Sequence, residues 1–160
     1  MPDRLTNADD GSNDICIRPA RGVDAEAMLP LIQRHAAYEG GHASVTEETV
    51  RSALDGVPAA LTAWVATQAG AMVGYASATV DFSTWAGRPF LHLDCLFVES
   101  DCRGLGIGAK LLAAVRAHAA THDLAEIQWQ TPAWNEDAIR FYSREGASFM
   151  PKARFTLPTR

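Results

Sequence analysis

Residues 91–120 read LHLDCLFVESDCRGLGIGAKLLAAVRAHAA, and this stretch decides the fold. An apolar strand over residues 91–98 is followed by Gly104, Gly106 and Gly108, and a helix begins at residue 109. Glycines at every second position allow a tight turn that exposes backbone N–H groups, because no Cβ atoms shield them. The first helical turn adds unpaired N–H groups and the positive end of the helix dipole. The stretch therefore predicts a binding site for a phosphate or diphosphate group.

Two common nucleotide-binding motifs do not fit this glycine pattern. The dinucleotide fingerprint G-x-G-x-x-G places its third glycine one residue later than Gly108, and no ribose-binding acid is evident downstream. The nucleotide P-loop needs Lys and Ser or Thr directly after its last glycine, but Ala109 and Lys110 follow Gly108. The predicted phosphate ligand therefore belongs to another class of molecule.

The pattern R-x-x-G-x-G does fit, with Arg103, Gly106 and Gly108 between a strand and a helix. It resembles the acetyl-CoA pyrophosphate loop of the GCN5-related N-acetyltransferases (GNATs), although a plain glycine turn is the alternative. The resemblance implies acetyl-CoA as cofactor, with its diphosphate held mainly by backbone N–H groups. The implied loop residues are Arg103, Gly104, Leu105, Gly106, Ile107, Gly108 and Ala109. The Arg103 side chain either adds charge to this site or pairs with Asp101 at the surface.

Composition limits the class of protein. With 160 residues, 48% of them hydrophobic, the chain is expected to form one domain over residues 14–160 after a polar, disordered tail at 1–13. The net charge is −5 and the acidic excess lies within residues 1–60, which argues against a nucleic-acid partner. No run approaches the roughly 20 apolar residues of a membrane span, so no membrane partner is expected.

Targeting and cysteine signals favour a cytoplasmic protein. The first seven residues, MPDRLTN, do not resemble a signal peptide. Cys16, Cys95 and Cys102 have neither metal nor redox spacing, so they are expected to be reduced thiols and no metal site is predicted.

Hydrophobic periodicity and turn signals predict an α/β fold. The expected order is β-α-α-β-β-β-α-β-α-β, a GNAT-like mixed, partly parallel central sheet with helices on both faces. Asp24 is a candidate cap for the first helix, and Pro30 is expected to kink that helix or to move its start. The predicted elements cover residues 15–18, 24–38, 46–56, 61–68, 72–81, 91–99, 109–121, 126–130, 135–145 and, as a closing strand or hairpin, 148–157.

A second signature extends the resemblance to roughly residues 15–150. Residues 134–148 contain Asn135, the aromatic pair Phe141 and Tyr142, and a Gly-Ala pair, which resembles the second motif of GNATs. Within the superfamily the chain is most similar to the diamine/spermidine-spermine N-acetyltransferase branch, which includes thialysine acetyltransferases. The likeness is carried by Ala37-Tyr38-Glu39, Trp85-Ala86-Gly87, Leu93-Asp94, Ser100-Asp101, Arg103–Gly108 and Trp134-Asn135-Glu136.

The resemblance assigns roles around the cofactor. Tyr142 would lie near the CoA sulfur and act as the general acid for the leaving thiolate; a core tyrosine packed beside Phe141 and Ile139 is the alternative. Asn135 would bind the pantetheine arm, although a helix N-cap explains the same residue. The backbone of the fourth strand would bind the pantetheine amides, and the fourth and fifth strands would splay around the cofactor. The strand residues implied are Leu96, Phe97 and Val98.

Asp94 is the candidate base that accepts the proton of the substrate ammonium, directly or through water. Period-two alternation predicts Leu91, Leu93, Cys95 and Phe97 on one face of the strand, with His92 and Asp94 on the other. His92 would help to receive the amine, and a partly buried strand histidine is the alternative. Asp94 could instead only pair with a neighbouring polar group. The polyamine branch has an acidic pair here, whereas this chain reads Asp-Cys, which puts spermidine-like specificity in doubt.

Three further residues match the amine pocket of that branch. Tyr38 would line the pocket, and Glu39 would bind the far ammonium of a diamine; an ordinary exposed glutamate is the alternative. Trp85 would form a wall by cation–π contact, or else would anchor its own loop.

The sequence therefore predicts an acetyl-CoA-dependent N-acetyltransferase that acetylates the primary amine of a small molecule by direct attack in a ternary complex. The expected acceptor is a diamine, polyamine or lysine-like amine. A covalent route through Cys95 or Cys102 is less favoured, since neither thiol has a visible activating partner. The alternatives are an acetyltransferase for a protein or antibiotic amine and a non-catalytic acyl-CoA-binding regulator. A homodimer is a candidate assembly by analogy with the branch.

Overall fold

The structure, a computed structural model, describes residues 14–159, so the predicted tail at 1–13 lies outside the described residues. One compact unit ends at Gln130 and a second begins at Thr131, while the expected single domain over 14–160 stays a prediction. The helices and strands are β1 (Ile15–Pro19), α1 (Ala25–Tyr38), α2 (Glu47–Asp55), β2 (Thr62–Gln68), β3 (Ala71–Ser83), β4 (Arg88–Val98), α3 (Ile107–Thr121), β5 (Ile127–Gln128) and α4 (Glu136–Arg144).

The first unit contains a five-stranded mixed sheet in the order β1-β2-β3-β4-β5. The first three pairings are antiparallel and β4 pairs with β5 in parallel, which confirms the predicted partly parallel sheet. Ala69 and Gly70 connect β2 to β3 with φ angles of 49° and 78°, as a two-residue hairpin turn requires. Helix α3 supplies the crossover between the parallel strands β4 and β5.

Helices cover both faces of this sheet, as predicted. Met28 and Leu31 of α1 and Val50 of α2 join one apolar cluster with Val65 and other inward residues of the sheet. On the opposite face of β2, the Trp64 ring lies 5.2 Å from the ring of His118 in α3, measured between centroids. Pro30 lies inside α1 and does not move its start. None of the helices described between residues 14 and 159 has the length and apolar character to cross a bilayer.

The closing strand predicted at 148–157 is wrong, because no residue of this segment in the second unit is in a strand. Pro151, inside the segment, has no backbone N–H to give to a ladder. The large apolar side chains of the segment also bury no common face, since each is mostly exposed. They are Phe149, Met150, Phe155 and Leu157.

Asp24 stabilises the start of α1 in a way that the sequence did not indicate. Its side chain does not cap the helix. Instead, its two carboxylate oxygens accept hydrogen bonds from the Arg18 guanidinium at 2.6 and 2.8 Å, and one also accepts from the Arg21 backbone N–H at 2.8 Å. Because Asp24 is buried, these charge-assisted bonds tie β1 to the start of α1.

We expect Asp24→Asn to lower the free energy of unfolding by about 2 kcal/mol at pH 7, since it removes a buried carboxylate that Arg18 pairs with. Asp81→Asn, an exposed position in β3, is the matched control and is expected to change stability little. The hydrogen bond from Arg18, followed by that from Arg21, lowers the pKa of Asp24. The Asp24 carboxylate therefore stabilises the fold fully at pH values above the ordinary aspartate pKa. This stabilisation is lost as the pH falls through the lowered pKa of Asp24. Urea unfolding of wild type and Asp24→Asn should converge at acidic pH, and a difference constant with pH would contradict this account.

Candidate active site

The glycine-rich loop presents an open backbone surface at the start of α3. Gly104 and Gly106 have φ angles of 79° and 77°, in the left-handed region that favours glycine. A Cβ atom built on either residue would have no atom within 4 Å, so the space beside both is open. Gly106 begins α3 without a side-chain cap, and the first N–H groups of a helix have no partner within it. Ile107 is buried and fixes the first turn.

These properties fit an anionic group such as the diphosphate of CoA. Residues 103–106 of the loop are exposed, the helix N-terminus carries positive potential, and no acidic side chain lies in the first turn of α3.

The Arg103 side chain does not pair with Asp101, and its charge toward the cofactor stays a prediction. Its Nε donates a hydrogen bond to the Val98 carbonyl oxygen at 2.9 Å. Its guanidinium carbon lies 4.8 Å from the centroid of the Tyr38 ring and 5.6 Å from that of Phe97. Asp101 instead accepts a hydrogen bond from the Ser100 hydroxyl. Arg103 therefore ties the beginning of the loop to α1 and to the end of β4.

The edge of β4 that faces β5 is open beyond two paired residues. Among residues 14–159, β5 pairs only with Leu91 and His92, so the strands separate after this point, as the resemblance implied. The Glu99 N–H donates to the Val73 carbonyl of β3 at 2.9 Å. Because backbone groups alternate in direction along a strand, those of Val98 and Leu96 point to the open edge.

The same geometry corrects the prediction for Phe97. Its carbonyl oxygen lies 2.8 Å from the position of a Cβ atom built on Gly74 in β3, and its side chain is buried in the core. Phe97 therefore has no backbone group directed at the open edge of β4. At Val98 the carbonyl is already bonded to Arg103, which leaves its N–H as the group directed outward.

A β-bulge at Asp94 overturns the predicted alternation of side chains along β4. Cys95 pairs with Ser77 and Leu93 pairs with Ala78, so Asp94 has no partner residue in β3. Consecutive residues of β3 face opposite sides, hence Leu93 and Cys95 do too, contrary to the prediction. Cys95 packs against the cluster under α1, whereas Leu93 faces α3.

The bulge brings Asp94 to a group of polar side chains under the end of α1. His35 Nδ1 lies 3.0 Å from the Tyr75 hydroxyl oxygen, and His35 Nε2 lies 3.4 Å from Glu39 Oε1. Cys95 Sγ lies 3.5 Å from Asp94 Oδ2, and the thiol also interacts with the Tyr75 hydroxyl. We call these five residues, His35, Glu39, Tyr75, Asp94 and Cys95, the His35 cluster.

Burial sets the protonation of the cluster. It lowers the pKa of His35 by more than the neighbouring Glu39 and Asp94 carboxylates raise it, so the imidazole is neutral at pH 7. Burial, with Asp94 beside it, raises the pKa of the Cys95 thiol to about 11. The thiol is protonated at neutral pH, which disfavours a covalent route through Cys95. Burial also raises the pKa of Tyr75.

An open cavity of about 300 Å³ lies between α1 and the end of β4. Its walls combine the aromatic rings of Tyr38 and Phe97 with charged groups. Arg34 forms an ion pair with Glu99 at its rim. The Phe97 ring stacks on the His35 imidazole with a centroid distance of 5.1 Å, so the cavity adjoins the His35 cluster. The lining residues are Arg34, Tyr38, Phe97, Glu99, Ser100 and Arg103.

Trp85 and His92 are the remaining predicted residues of the first unit, and His92 matches its alternative of a partly buried strand histidine. Trp85 is fully exposed at the tip of the β3–β4 turn, so it neither walls the cavity nor anchors its loop. Its turn is held instead by Ser83, whose side-chain and carbonyl oxygens accept from the backbone of Ala86 and Gly87. His92 is half-buried in β4, opposite Thr79.

Asn135 and Tyr142 belong to the second unit. Asn135 Oδ1 accepts a hydrogen bond from the Ala138 N–H at 3.1 Å, so the side chain caps α4, as the alternative interpretation held. Tyr142 lies on α4, half-buried, with its ring centroid 5.0 Å from that of Phe141. Their roles toward the cofactor stay predictions.

The sequence alone did not indicate Tyr75 or His35 as site residues. His35 and Glu39, four residues apart at the end of the predicted helix, were the available signal. Nothing local indicates that Tyr75 lies under them, because that contact depends on the packing of α1 on β3.

Known proteins that are similar to this chain in sequence or in structure include several acetyltransferases. Over 151 residues the chain is 29% identical to the thialysine N-epsilon-acetyltransferase of Bos taurus, with 87% of each protein covered. An aminoglycoside acetyltransferase from an uncultured soil metagenomic sample, solved with sisomicin, superposes with a TM-score of 0.77 at 19% identity, covering 91% of this chain and 97% of that one.

A second solved aminoglycoside enzyme has the same fold. An aminoglycoside N-acetyltransferase solved in complex with CoA has a TM-score of 0.72 at 16% identity, covering 92% of this chain and 97% of that one. The model of the acetyltransferase (GNAT) family matches residues 28–147. Together with the glycine loop and the divided β4–β5 edge, this match shows that the chain belongs to the GNAT family of acetyltransferases.

Proposed function

We propose that this enzyme transfers the acetyl group of acetyl-CoA to the primary amine of a small diamine, polyamine or lysine-like molecule, by direct attack in a ternary complex. The observation that carries the proposal is the exposed loop with two left-handed glycines at the uncapped start of α3. The similarity to a thialysine acetyltransferase supports a lysine-like acceptor.

Acetyl-CoA supplies a thioester as the acyl donor. The backbone N–H groups of the loop and of the first turn of α3 would hold its diphosphate, with Gly104, Gly106 and Gly108 allowing close approach. The open edge of β4 offers the backbone groups of Leu96 and the N–H of Val98 to the pantetheine amides. One such N–H would also stabilise negative charge that develops on the carbonyl oxygen.

The amine must lose a proton before it attacks, because a lysine-like ammonium has a pKa of roughly 10. Asp94 is exposed at the bulge and would accept this proton, directly or through water. Tyr142 would donate a proton to the departing thiolate. Glu39, with a side chain 38% exposed at the end of α1, would bind a second ammonium, and Tyr38 and His92 would help to line the amine pocket.

Two other functions differ in measurable ways. An acetyltransferase for a protein or antibiotic amine would leave diamines unmodified. The fold shared with an aminoglycoside acetyltransferase is the reason to include this alternative in the test. A non-catalytic regulator would bind CoA without turnover. Release of free thiol from acetyl-CoA, measured with a panel of diamines, lysine analogues, peptides and aminoglycosides, separates the three.

We expect Gly106→Ala to weaken CoA binding about tenfold, since a residue with a Cβ atom in the left-handed region costs about 1–2 kcal/mol and displaces the loop. Gly70→Ala, in the β2–β3 turn at φ 78°, carries a matched strain away from the loop. Gly70→Ala should lower the stability of the protein by about as much as Gly106→Ala does, and it should leave the affinity for CoA unchanged. Calorimetric titration with CoA measures both variants, and equal affinities would contradict the proposed diphosphate site.

Tyr142→Phe tests the general acid, because it removes the hydroxyl and keeps the ring. We expect kcat to fall at least tenfold, with little change in the Kd of CoA. Phe141→Leu is the neighbouring control for a general disturbance of α4. Turnover unaffected by Tyr142→Phe would remove this residue from the proposed chemistry.

Asp94→Asn tests the base and keeps the size of the side chain. We expect a lower kcat/KM and a pH profile displaced to higher pH, because deprotonation of the amine would then depend on hydroxide or bulk water. The profile of kcat/KM from pH 6 to 10 measures this displacement. An unchanged profile would exclude Asp94 as the base.

A further inference from the structure

We propose that His35 is a positioning residue for substrate selection: it holds the Glu39 carboxylate in place, so that doubly charged amines are preferred over single ones. This inference rests on the proposed function and extends it to a residue that does not contact the reacting atoms. Its basis is the set of contacts that fix the imidazole from three sides.

The His35 ring is held by the sheet beneath it. Nδ1 lies 3.0 Å from the Tyr75 hydroxyl, and the ring stacks on Phe97 with an interplanar angle of 23°. Tyr75 is itself 2% exposed, so its hydroxyl is a fixed point of the core. The side chain of His35 is only 14% exposed. These contacts leave the imidazole one orientation, with Nε2 directed at Glu39.

The hydrogen-bond chemistry then fixes the tautomer. An ionised carboxylate only accepts hydrogen bonds, so the proton lies on Nε2, which interacts with Glu39 Oε1 at 3.4 Å. Nδ1 must therefore accept the hydrogen bond that the Tyr75 hydroxyl donates. Burial keeps the imidazole neutral, so it orients the Glu39 carboxylate without cancelling its charge.

The contact with His35 orients the side chain of Glu39. Glu39 directly follows α1 as the C-cap residue, and a partly exposed glutamate in such a position normally samples many rotamers. Immobilising a side chain of this kind on binding costs affinity, and an already oriented carboxylate avoids that cost. Glu39 and Asp94 both act electrostatically on His35, so two carboxylates lie near it, together with the oppositely charged Arg103 guanidinium. A molecule with two separated ammonium groups matches the two carboxylates.

Two substitutions separate the two nitrogens of His35. Asn at this position places an amide where Nδ1 was and can keep the bond to Tyr75, but it does not reach Glu39. Gln places its amide near Nε2 and can keep the bond to Glu39, but loses the one to Tyr75.

The test compares 1,5-diaminopentane with pentylamine as acceptors, by thiol release with acetyl-CoA. We expect wild type to favour the diamine in kcat/KM, and His35→Asn to reduce that preference about three- to tenfold through the KM of the diamine alone. His35→Gln should restore most of the preference. The inference is overturned if wild type shows no preference, if His35→Asn keeps it, or if both variants raise the KM of both amines equally.

Two measurements keep the result interpretable if a variant unfolds or if no turnover occurs. The ¹⁵N spectrum of wild-type imidazoles should show His35 as the Nε2–H tautomer at pH 8, and the Nδ1–H form would overturn the inference. Calorimetric binding of the same two amines to the CoA complex reports the preference without turnover. Absence of thiol release with every amine would refute the proposed acetyl transfer, whereas equal binding of both amines would refute only the role of His35.

Discussion

Strand β4 is hydrogen-bonded to β3 along its length but to β5 over only two residues, and the site depends on this unequal pairing. If both edges were fully paired, no backbone group of Leu96 or Val98 would be available to a ligand. The divided edge leads directly to the glycine loop, where the first N–H groups of α3 also lack partners within the helix. Backbone groups that the sheet and the helix leave unpaired therefore lie at two places, the open edge at the end of β4 and the start of α3.

The opposite side of β4 is organised by side chains. The bulge at Asp94 turns the strand so that Cys95 and Phe97 lie under α1, where they meet Tyr75 and His35. Arg103 then joins this region to the loop, since it bonds to the Val98 carbonyl and packs on Tyr38. The amine side and the cofactor side of the proposed site thus share one rigid support, the last four residues of β4.

The parts of the fold that could be predicted are those with a local physical cause. The β2–β3 hairpin follows from Ala-Gly between two apolar runs, and the loop follows from glycines at every second position. The face of Asp94 could not be predicted, because a bulge depends on the register with β3. The role of Arg103 could not be predicted either, since its partner Tyr38 lies far away in the chain and meets it only after α1 packs on the sheet. The closing strand failed because apolar residues at 149–157 suggested burial that the fold does not provide.

The close approach of Gly74 to the Phe97 carbonyl limits which residues position 74 can accept. A methyl group at residue 74 would stand 2.8 Å from that oxygen, and the residues that carry the two atoms belong to the paired strands β3 and β4. Even alanine would force the two strands apart at the level of the site. Tolerance to substitution at this position therefore reports the spacing of two strands, and a screen for lost activity would identify residue 74 although it has no side chain to take part in chemistry.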